Sequence, residues 1–556
     1  MVTGLVILGN RAHQFDLSVD QQLNLAYVGS VPHGGIQQIR IHWLLELVSA
    51  QEIAGRVQYD FTKLDQLIEL LWMNGLQPGF ELMGSVSNYF TDFQNKSQVV
   101  EWRNLVYLTA RRYIDKYGLQ YVSQWNFETW NEPNNGDFDN VSMSVQGFLN
   151  YYDACSEGLR AASSLLRFGG PGDSCHSPPR SPFCWALLQH CYNGTNYFTG
   201  EKGVRMDFIA LHKKGGGATL PILQQEIQTV REIQQLFPRF HRLPVYNDEA
   251  DPLVGWSRPQ EWRADVTYAA MVVKVIQQHQ DLLLADPNST INYTLLSNDN
   301  AFLSYHPFPF TQRTLTARFQ VNNTQPPHVQ LIRKPVLTAM ALLALLGETQ
   351  ILAQVLNSAG TSIGTVGVLA SSHQPEVFGG PDSWQVALLV YNSDDIRTSN
   401  STDEDAHIGG PWEVPAGDTL TFRTRMLLPS LLLVHVCARP KVVPGQVSGL
   451  RFLRITKGQV LIIWSDHSQN SKCIKTFEVE FSSDYKEFSR INHQDTIFTS
   501  YVYSPAEAVV SGLYRVRAVD YWARPGSYSL TKKYTEDEDE DVQLTSESLN
   551  VHQGKH

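Results

Sequence analysis

The sequence predicts a parallel (β/α)8 barrel of the TIM class as the catalytic domain, followed by a β-sandwich and a fibronectin type III-like β domain. Three observations predict it. From Asp20 to Leu346 short β-rich runs alternate with apolar residues at helical spacing, the pattern of a parallel sheet wound by crossover helices. Two of the runs end in a carboxylate and a proline, at Glu132 in WNFETWNEP and at Glu249 in LPVYNDEADP. These lie 117 residues apart (249 − 132). At roughly 30 residues per β/α unit, more with insertions, three units fit between them, which suits strands four and seven. From about Ile351 onward the pattern is that of strands alone.

In chain order, only Thr3–Leu8 is available as a first strand, before a helix over Asp20–Gly34. Gln38–Trp43 reads as strand two, carrying Arg40 and His42, and Leu64, Leu67, Ile68 and Leu71 give Phe61–Asn74 one helical face that Gly75 ends. Gly79–Met83 is strand three and Val99–Tyr117 a helix. Gln124–Thr129 is strand four, and Pro133 bars its continuation, leaving Asn131 and Glu132 at its C-terminal end. Val145–Ser163 is helical. Leu166–Gly170 and Met206–His212 are strands five and six, and Thr219–Pro221 caps the helix of Leu223, Ile227, Val230 and Ile233. Leu243–Glu249 is strand seven, Arg263–Leu284 a long helix, Tyr293–Asn298 strand eight and Pro335–Leu346 the last helix.

The expected domains are the barrel over 1–346, the sandwich over 347–442, the fibronectin-like domain over 443–530 and an acidic, disordered tail over 531–556. The sandwich strands are Ile363–Ala370, Gln385–Tyr391, Thr419–Arg425 and Leu431–Cys437. In the third domain Trp464 and Tyr514 sit where such a fold packs an early-strand Trp against a late Tyr. TEDEDED and the polar residues after it have nothing to bury.

At 556 residues with 42% hydrophobic content, the chain has the length for two or three packed cores. It has no uninterrupted apolar run of 18 residues, so no membrane span is expected. A formal charge of −11 argues against a nucleic-acid partner. Protonating all 17 histidines would move that charge to +6, which in an acidic compartment lessens repulsion of a polyanionic substrate. Sequons at Asn95, Asn140, Asn193, Asn288, Asn292, Asn322 and Asn400 indicate a secretory route, although the first residues show no convincing signal peptide. The six cysteines lack C-x-x-C spacing, so neither a zinc site nor a disulfide scaffold is expected. Most read as core thiols.

Two strand-end carboxylates in one barrel are the equipment of a retaining glycosidase, in which one protonates the leaving oxygen and the other attacks the anomeric carbon from about 5 Å away. Glu132 would be the acid/base and needs a raised pKa, expected from burial beside a second carboxylate. Glu249 would be the nucleophile, with Asp248 and Asp251 as rivals that periodicity leaves open. Glu128 shares strand parity with Glu132 and, if it points into the barrel, needs a partner such as Arg40. Lys214 and Arg313 suit recognition of a sugar carboxylate. As bland alternatives, Glu132 is a turn carboxylate, Lys214 and Arg313 are solvated surface charges, and His33 and His42 are structural.

The segments NFETWNEP, YNDEADPLVGW and SNDNAFLSYHPFP resemble glycoside hydrolase family 39, within it the lysosomal enzymes that remove terminal α-L-iduronate. The likeness runs from about Asp20 to about Ser529. It implies cleavage of unsulfated iduronosidic ends of dermatan and heparan sulfate, without metal or cofactor, by Glu132 and Glu249, and motif position selects Glu249 over its rivals. It also implies substrate contacts from His42, Asn131, Lys214, Asp299, Arg313 and the backbone around Gly255–Trp256, with Asn131 on the sugar 2-hydroxyl. Cys437 and Cys473 flank the predicted domain boundary, and the resemblance implies a bridge between them. The segment between Tyr391 and Pro415 is shorter than in that family. Two other functions stay open: a β-xylosidase, or a catalytically impaired splice form that only binds glycans.

Overall fold

The computed structural model describes residues 17–135, 141, 143–255, 258–300, 313–321, 323, 328–361, 363–373, 384–396, 409–414, 417, 421, 423–466 and 471–536, and the backbone of 2–5. They fall into two compact units, one reaching Ala438, the other comprising Arg439 onward with 318–331.

The first unit is built on eight parallel strand positions: β1 (Val2–Leu5), β2 (Gln38–Ile41), β3 (Gln77–Glu81), β4 (Asn126–Glu128), β5 (Arg167–Asp173), β6 (Phe208–Leu211), β7 (Val245–Asn247) and β8 (Tyr293–Leu296). Each pairs with the next. Closure is divided, because β8 pairs with β7 while its continuation Asp299–Asn300 pairs with β1. The short first strand therefore completes the ring.

The helices follow local chemistry. Asn95 accepts from the Ser97 N–H to start Lys96–Tyr117, which Gly118 ends with a φ of 86°. Ser144 caps Val145–Ala162, whose Phe148, Tyr151, Tyr152, Cys155 and Leu159 are buried. Thr219 differs from expectation. Its hydroxyl donates to Asp395 Oδ1 at 2.9 Å and leaves the N-terminus of Leu220–Leu236 without a side-chain cap. Arg263–Leu284 is shorter as an α-helix, Val266–His279, and ends in a π-turn over Gln280–Leu284.

The expected sandwich takes another form. Among the described residues it is one antiparallel sheet of Thr349–Gln350, Val366–His373, Gln385–Asn392 and Ser430–Cys437. Its opposing layer is the barrel helix Val266–His279, reached by Tyr391 Oη to Gln277 Oε1 at 2.7 Å and Lys274 Nζ to the Ser393 carbonyl at 3.0 Å. That helix therefore covers the face of the sheet among the described residues. Within the expected strand Thr419–Arg425, residues 419, 420 and 422 lie outside the described set and the rest is irregular.

The second unit holds a three-stranded and a four-stranded antiparallel sheet. Trp464 and Tyr514 are buried in their common core, and Tyr514 Oη donates to the Val510 carbonyl. Its last strand, Lys532–Tyr534, falls inside the expected tail, because Tyr534 packs against Phe452. Residues 537–556 of that tail lie outside the described set.

Cys175 and Cys184 form a disulfide, where the sequence reading expects core thiols. Nine residues apart, Cys175 on the segment after β5 and Cys184 in the helix Pro182–Asn193, they carry no spacing motif that marks them. Cys155 and Cys191 are buried free thiols, as expected. Asn95, Asn193, Asn288 and Asn292 are exposed, while Asn140, Asn322 and Asn400 lie outside the described residues.

Candidate active site

A parallel barrel brings the C-terminal ends of its strands to one face. There β2 supplies Arg40 and leads to His42, β4 leads to Asn131 and Glu132, β6 to His212 and Lys214, β7 to Asp248 and Glu249, and the end of β8 to Asp299.

Arg40 is the centre of charge. Its buried guanidinium meets Glu81 at 2.5 Å, Glu128 at 2.9 Å, Asp248 at 3.2 Å and Glu249 at 3.0 Å, and donates to Asn131 Oδ1 at 2.9 Å. Burial would lower its pKa, but the carboxylates raise it well above the ordinary value and keep it charged. Gly79 and Gly172 make the room, since a Cβ at Gly79 would lie 3.0 Å from the Arg40 Cα and one at Gly172 would run into the Glu128 carboxylate. Within this cluster burial pushes the Glu128 carboxyl well up, while Arg40 and His212 hold Asp248 at about 2 despite its burial.

Glu249 Oε2 accepts from Lys214 Nζ at 2.7 Å and faces His212 Nδ1 at 3.4 Å, and its Oε1 lies 3.6 Å from His42 Nε2. Burial would raise its pKa. His212, Lys214, Arg40 and His42 override this and hold the carboxyl well below its usual range, so Glu249 is an anion.

Glu132 sits at a φ of 42°, its N–H donating to the Gly172 carbonyl at 2.9 Å. That turn is braced by Asn134, whose backbone N–H and Nδ2 both donate to Asp173 Oδ2 and whose Oδ1 accepts from the N–H of Phe183, inside the disulfide loop. Glu132 Oε1 lies 2.8 Å from His212 Nδ1, and its side chain is 18% exposed against 4% for Glu249. The expected upward pKa shift is overturned. Burial and Glu249 do push upward, but the His212 hydrogen bond and the charges of His212 and Lys214 leave Glu132 lowered. Glu249, Asp248 and Glu132 in turn keep His212 protonated well above its ordinary range, against the effect of burial.

One oxygen of each glutamate and a His212 ring nitrogen lie within 4.8 Å of one another. That separation suits direct attack by one carboxylate, because a water-mediated inverting pair stands roughly 6.5–9.5 Å apart. Asn131 Nδ2 is buried and has no hydrogen-bond partner among the described residues, an unspent donor in a site rich in acceptors. Lys214 also reaches Asp299 at 3.2 Å, and Arg313 joins Asp299 to Asp251, the latter at 3.4 Å. The two cations expected to read a sugar carboxylate thus share Asp299.

Asp248 and Asp251 also have charged partners. Asp248 faces Arg40 and the Nε2 side of His212, and Asp251 pairs with buried Arg263 at 3.0 Å. His42 is held by Glu81 at 2.5 Å. His33 is half-buried in the turn Pro32–Gly34. Gly255 is at a φ of 94°, and Trp256 lies outside the described residues. Sequence reasoning missed His212 and Glu81. Strand parity was available for both: His212 shares a face with Lys214, and Glu81 lies in register with Glu128.

A closed parallel barrel bearing two strand-end glutamates this close, with an amide donor beside them, is the fold and site of a glycoside hydrolase. The comparisons with known proteins agree. The family model described as glycosyl hydrolases family 39 matches residues 5–426, and the one described as alpha-L-iduronidase C-terminal domain matches residues 448–536. The chain belongs to glycosyl hydrolase family 39. It is 56% identical to alpha-L-iduronidase of Homo sapiens over 95% of this chain and 89% of that one, and 55% identical to the enzyme of Mus musculus over 94% and 91%. The solved structure of a bacterial orthologue of human α-L-iduronidase superposes with a TM-score of 0.75 at 26% identity, covering 96% of each chain.

Proposed function

We propose that this chain is a retaining exo-α-L-iduronidase that removes terminal unsulfated iduronate from dermatan and heparan sulfate in the lysosome. The observation that carries the reading is Lys214 Nζ, placed between Glu249 at 2.7 Å and Asp299 at 3.2 Å. A cation beside the nucleophile can dock the carboxylate of a uronic sugar, and Arg313 on the same Asp299 adds a forked donor. Glu249 attacks the anomeric carbon while Glu132 protonates the departing oxygen, and Glu132 then takes a proton from the water that hydrolyses the glycosyl-enzyme. Asn131 Nδ2 donates to the 2-hydroxyl. His42, Asp299 and the backbone at Gly255–Trp256 complete the sugar contacts. The Cys437–Cys473 bridge, and a division into barrel, sheet and fibronectin-like domains, belong to this proposal. So does the lysosomal setting, supported by the exposed sequons; among the described residues no helix is long and apolar enough to cross a membrane.

Turnover of fluorogenic α-L-iduronide and β-D-xyloside by the purified protein tests the reading. Iduronide is the expected substrate. Preference for the xyloside would make the protein a xylosidase, and glycan binding without turnover of either would make it a lectin-like form.

A further inference from the structure

Behind β7, on the side away from the reacting groups, a buried polar chain runs from helix to helix. His279, the last residue of Val266–His279, donates Nδ1–H to the Val275 carbonyl at 2.7 Å, so its Nε2 faces the Glu226 carboxylate at 2.5 Å. Glu226, on Leu220–Leu236, accepts at Oε1 from Asn247 Nδ2 at 2.5 Å and from Tyr293 Oη at 3.2 Å. Asn247 spends the rest of its amide on two backbone segments. Nδ2 donates to the Lys213 carbonyl at 3.0 Å, and Oδ1 accepts from the N–H of Lys213 at 3.2 Å and of Glu249 at 3.3 Å. Glu226, Asn247 and His279 are all buried. A carboxylate accepts and does not donate, so Glu226 holds the Nδ2 end of the Asn247 amide toward itself, the same orientation that the Lys213 and Glu249 backbone groups take up.

We propose that Glu226, anchored by His279, is a positioning residue for catalysis: by fixing the orientation of the Asn247 amide it sets the backbone of Glu249 and of the Lys213–Lys214 pair at their working separation. This rests on the reading of Glu249 as nucleophile. Glu226 touches no substrate, and its effect on rate comes through geometry, where a displacement approaching 1 Å costs on the order of a hundredfold.

The test counts active sites before it measures rate. A 2-fluoro-iduronide inactivator titrates competent sites in the wild type and in Glu226→Leu, Glu226→Gln and Asn247→Asp. Glu226→Gln keeps an acceptor oxygen for Asn247 and donates its new amide to a neutral His279, so kcat per titrated site should stay within about threefold. Glu226→Leu removes the side-chain acceptor that anchors Asn247 Nδ2 and should lose about tenfold or more per site. Should that variant fail to accumulate, Asn247→Asp, nearly isosteric but repelled by Glu226, decides with the same expected loss. Fewer sites at an unchanged rate per site, in whichever of these two variants folds, would mean that the chain only stabilises the fold and would overturn the proposal. Labelling of a wild-type residue other than Glu249 overturns the nucleophile assignment and this inference with it. Labelling at Glu249, with equal per-site rates in the variants, overturns this inference alone.

Discussion

His212 Nδ1 stands 2.8 Å from Glu132 Oε1, and the imidazolium holds the Glu132 carboxyl, the proposed acid/base, down. His212 is itself raised well above its ordinary value, so it stays charged across the acidic range and Glu132 is the member of the pair that titrates. General acid function is lost as the pH rises through the lowered Glu132 value, which places the alkaline limb of kcat/KM at acidic pH. Replacing His212 with Gln removes the charge and leaves burial and Glu249 to push Glu132 upward. The alkaline limb should move to higher pH, and a limb that stays in place or moves lower would show that His212 does not govern this proton.

Arg40 makes a stability prediction. Asp248 and Glu249 have depressed values in the folded protein, so they contribute stability above the ordinary carboxylate range and lose it as pH falls through their folded values. In Arg40→Gln these anions remain buried without the guanidinium, at a cost of about 3–5 kcal/mol near pH 7. The deficit should shrink at pH 4, where the released carboxyls begin to protonate. Urea midpoints of both proteins at the two pH values check this, and a deficit independent of pH would mean that Arg40 acts through packing.

These two residues mark what the sequence discloses. Arg40 and Glu128 lie on strands, Glu132 at a strand end that a breaking proline marks and Lys214 at the end of another, so their strand assignments in the barrel were legible. The sign of the Glu132 shift was not. It depends on a histidine just beyond β6, 80 residues away, and on the approach of Glu249 and Lys214, which no spacing rule encodes. The register of β1 was faint for a similar reason, because four residues are too few for an alternation to stand out. The helix that covers the sheet after the barrel was illegible because strand periodicity reports a buried face without saying whether a sheet or a helix covers it.

The disulfide should matter to rate as well as to stability. Cys175 and Cys184 close a short loop, worth roughly 2–3 kcal/mol by chain entropy. Phe183 within it braces Asn134 and hence the turn of Glu132. Cys184→Ser should therefore melt several degrees lower and show a reduced kcat at temperatures where it is fully folded. A lower melting point with wild-type kcat would confine the bridge to a structural part.

The two glutamates should fail differently when each is removed. Glu249→Ala removes the proposed nucleophile and should lose turnover on every aglycone. A small anion such as azide, entering the vacated space, should restore reaction in one displacement and leave an inverted product. Glu132→Ala keeps the nucleophile. With an activated phenolic leaving group that needs little protonation, formation of the glycosyl-enzyme should survive, while its hydrolysis slows for want of a base and the intermediate accumulates. Azide needs no base, so it should speed release with net retention. The geometry adds a reason for the asymmetry: Glu249 is clamped by Arg40, Lys214 and His212, whereas Glu132 is the more exposed and holds His212 through a single hydrogen bond. Equal losses in both variants on all substrates, with no adduct on Glu249 after treatment with a 2-fluoro-iduronide, would make this division of roles untenable and direct attention to Asp248, the next carboxylate along the same strand end.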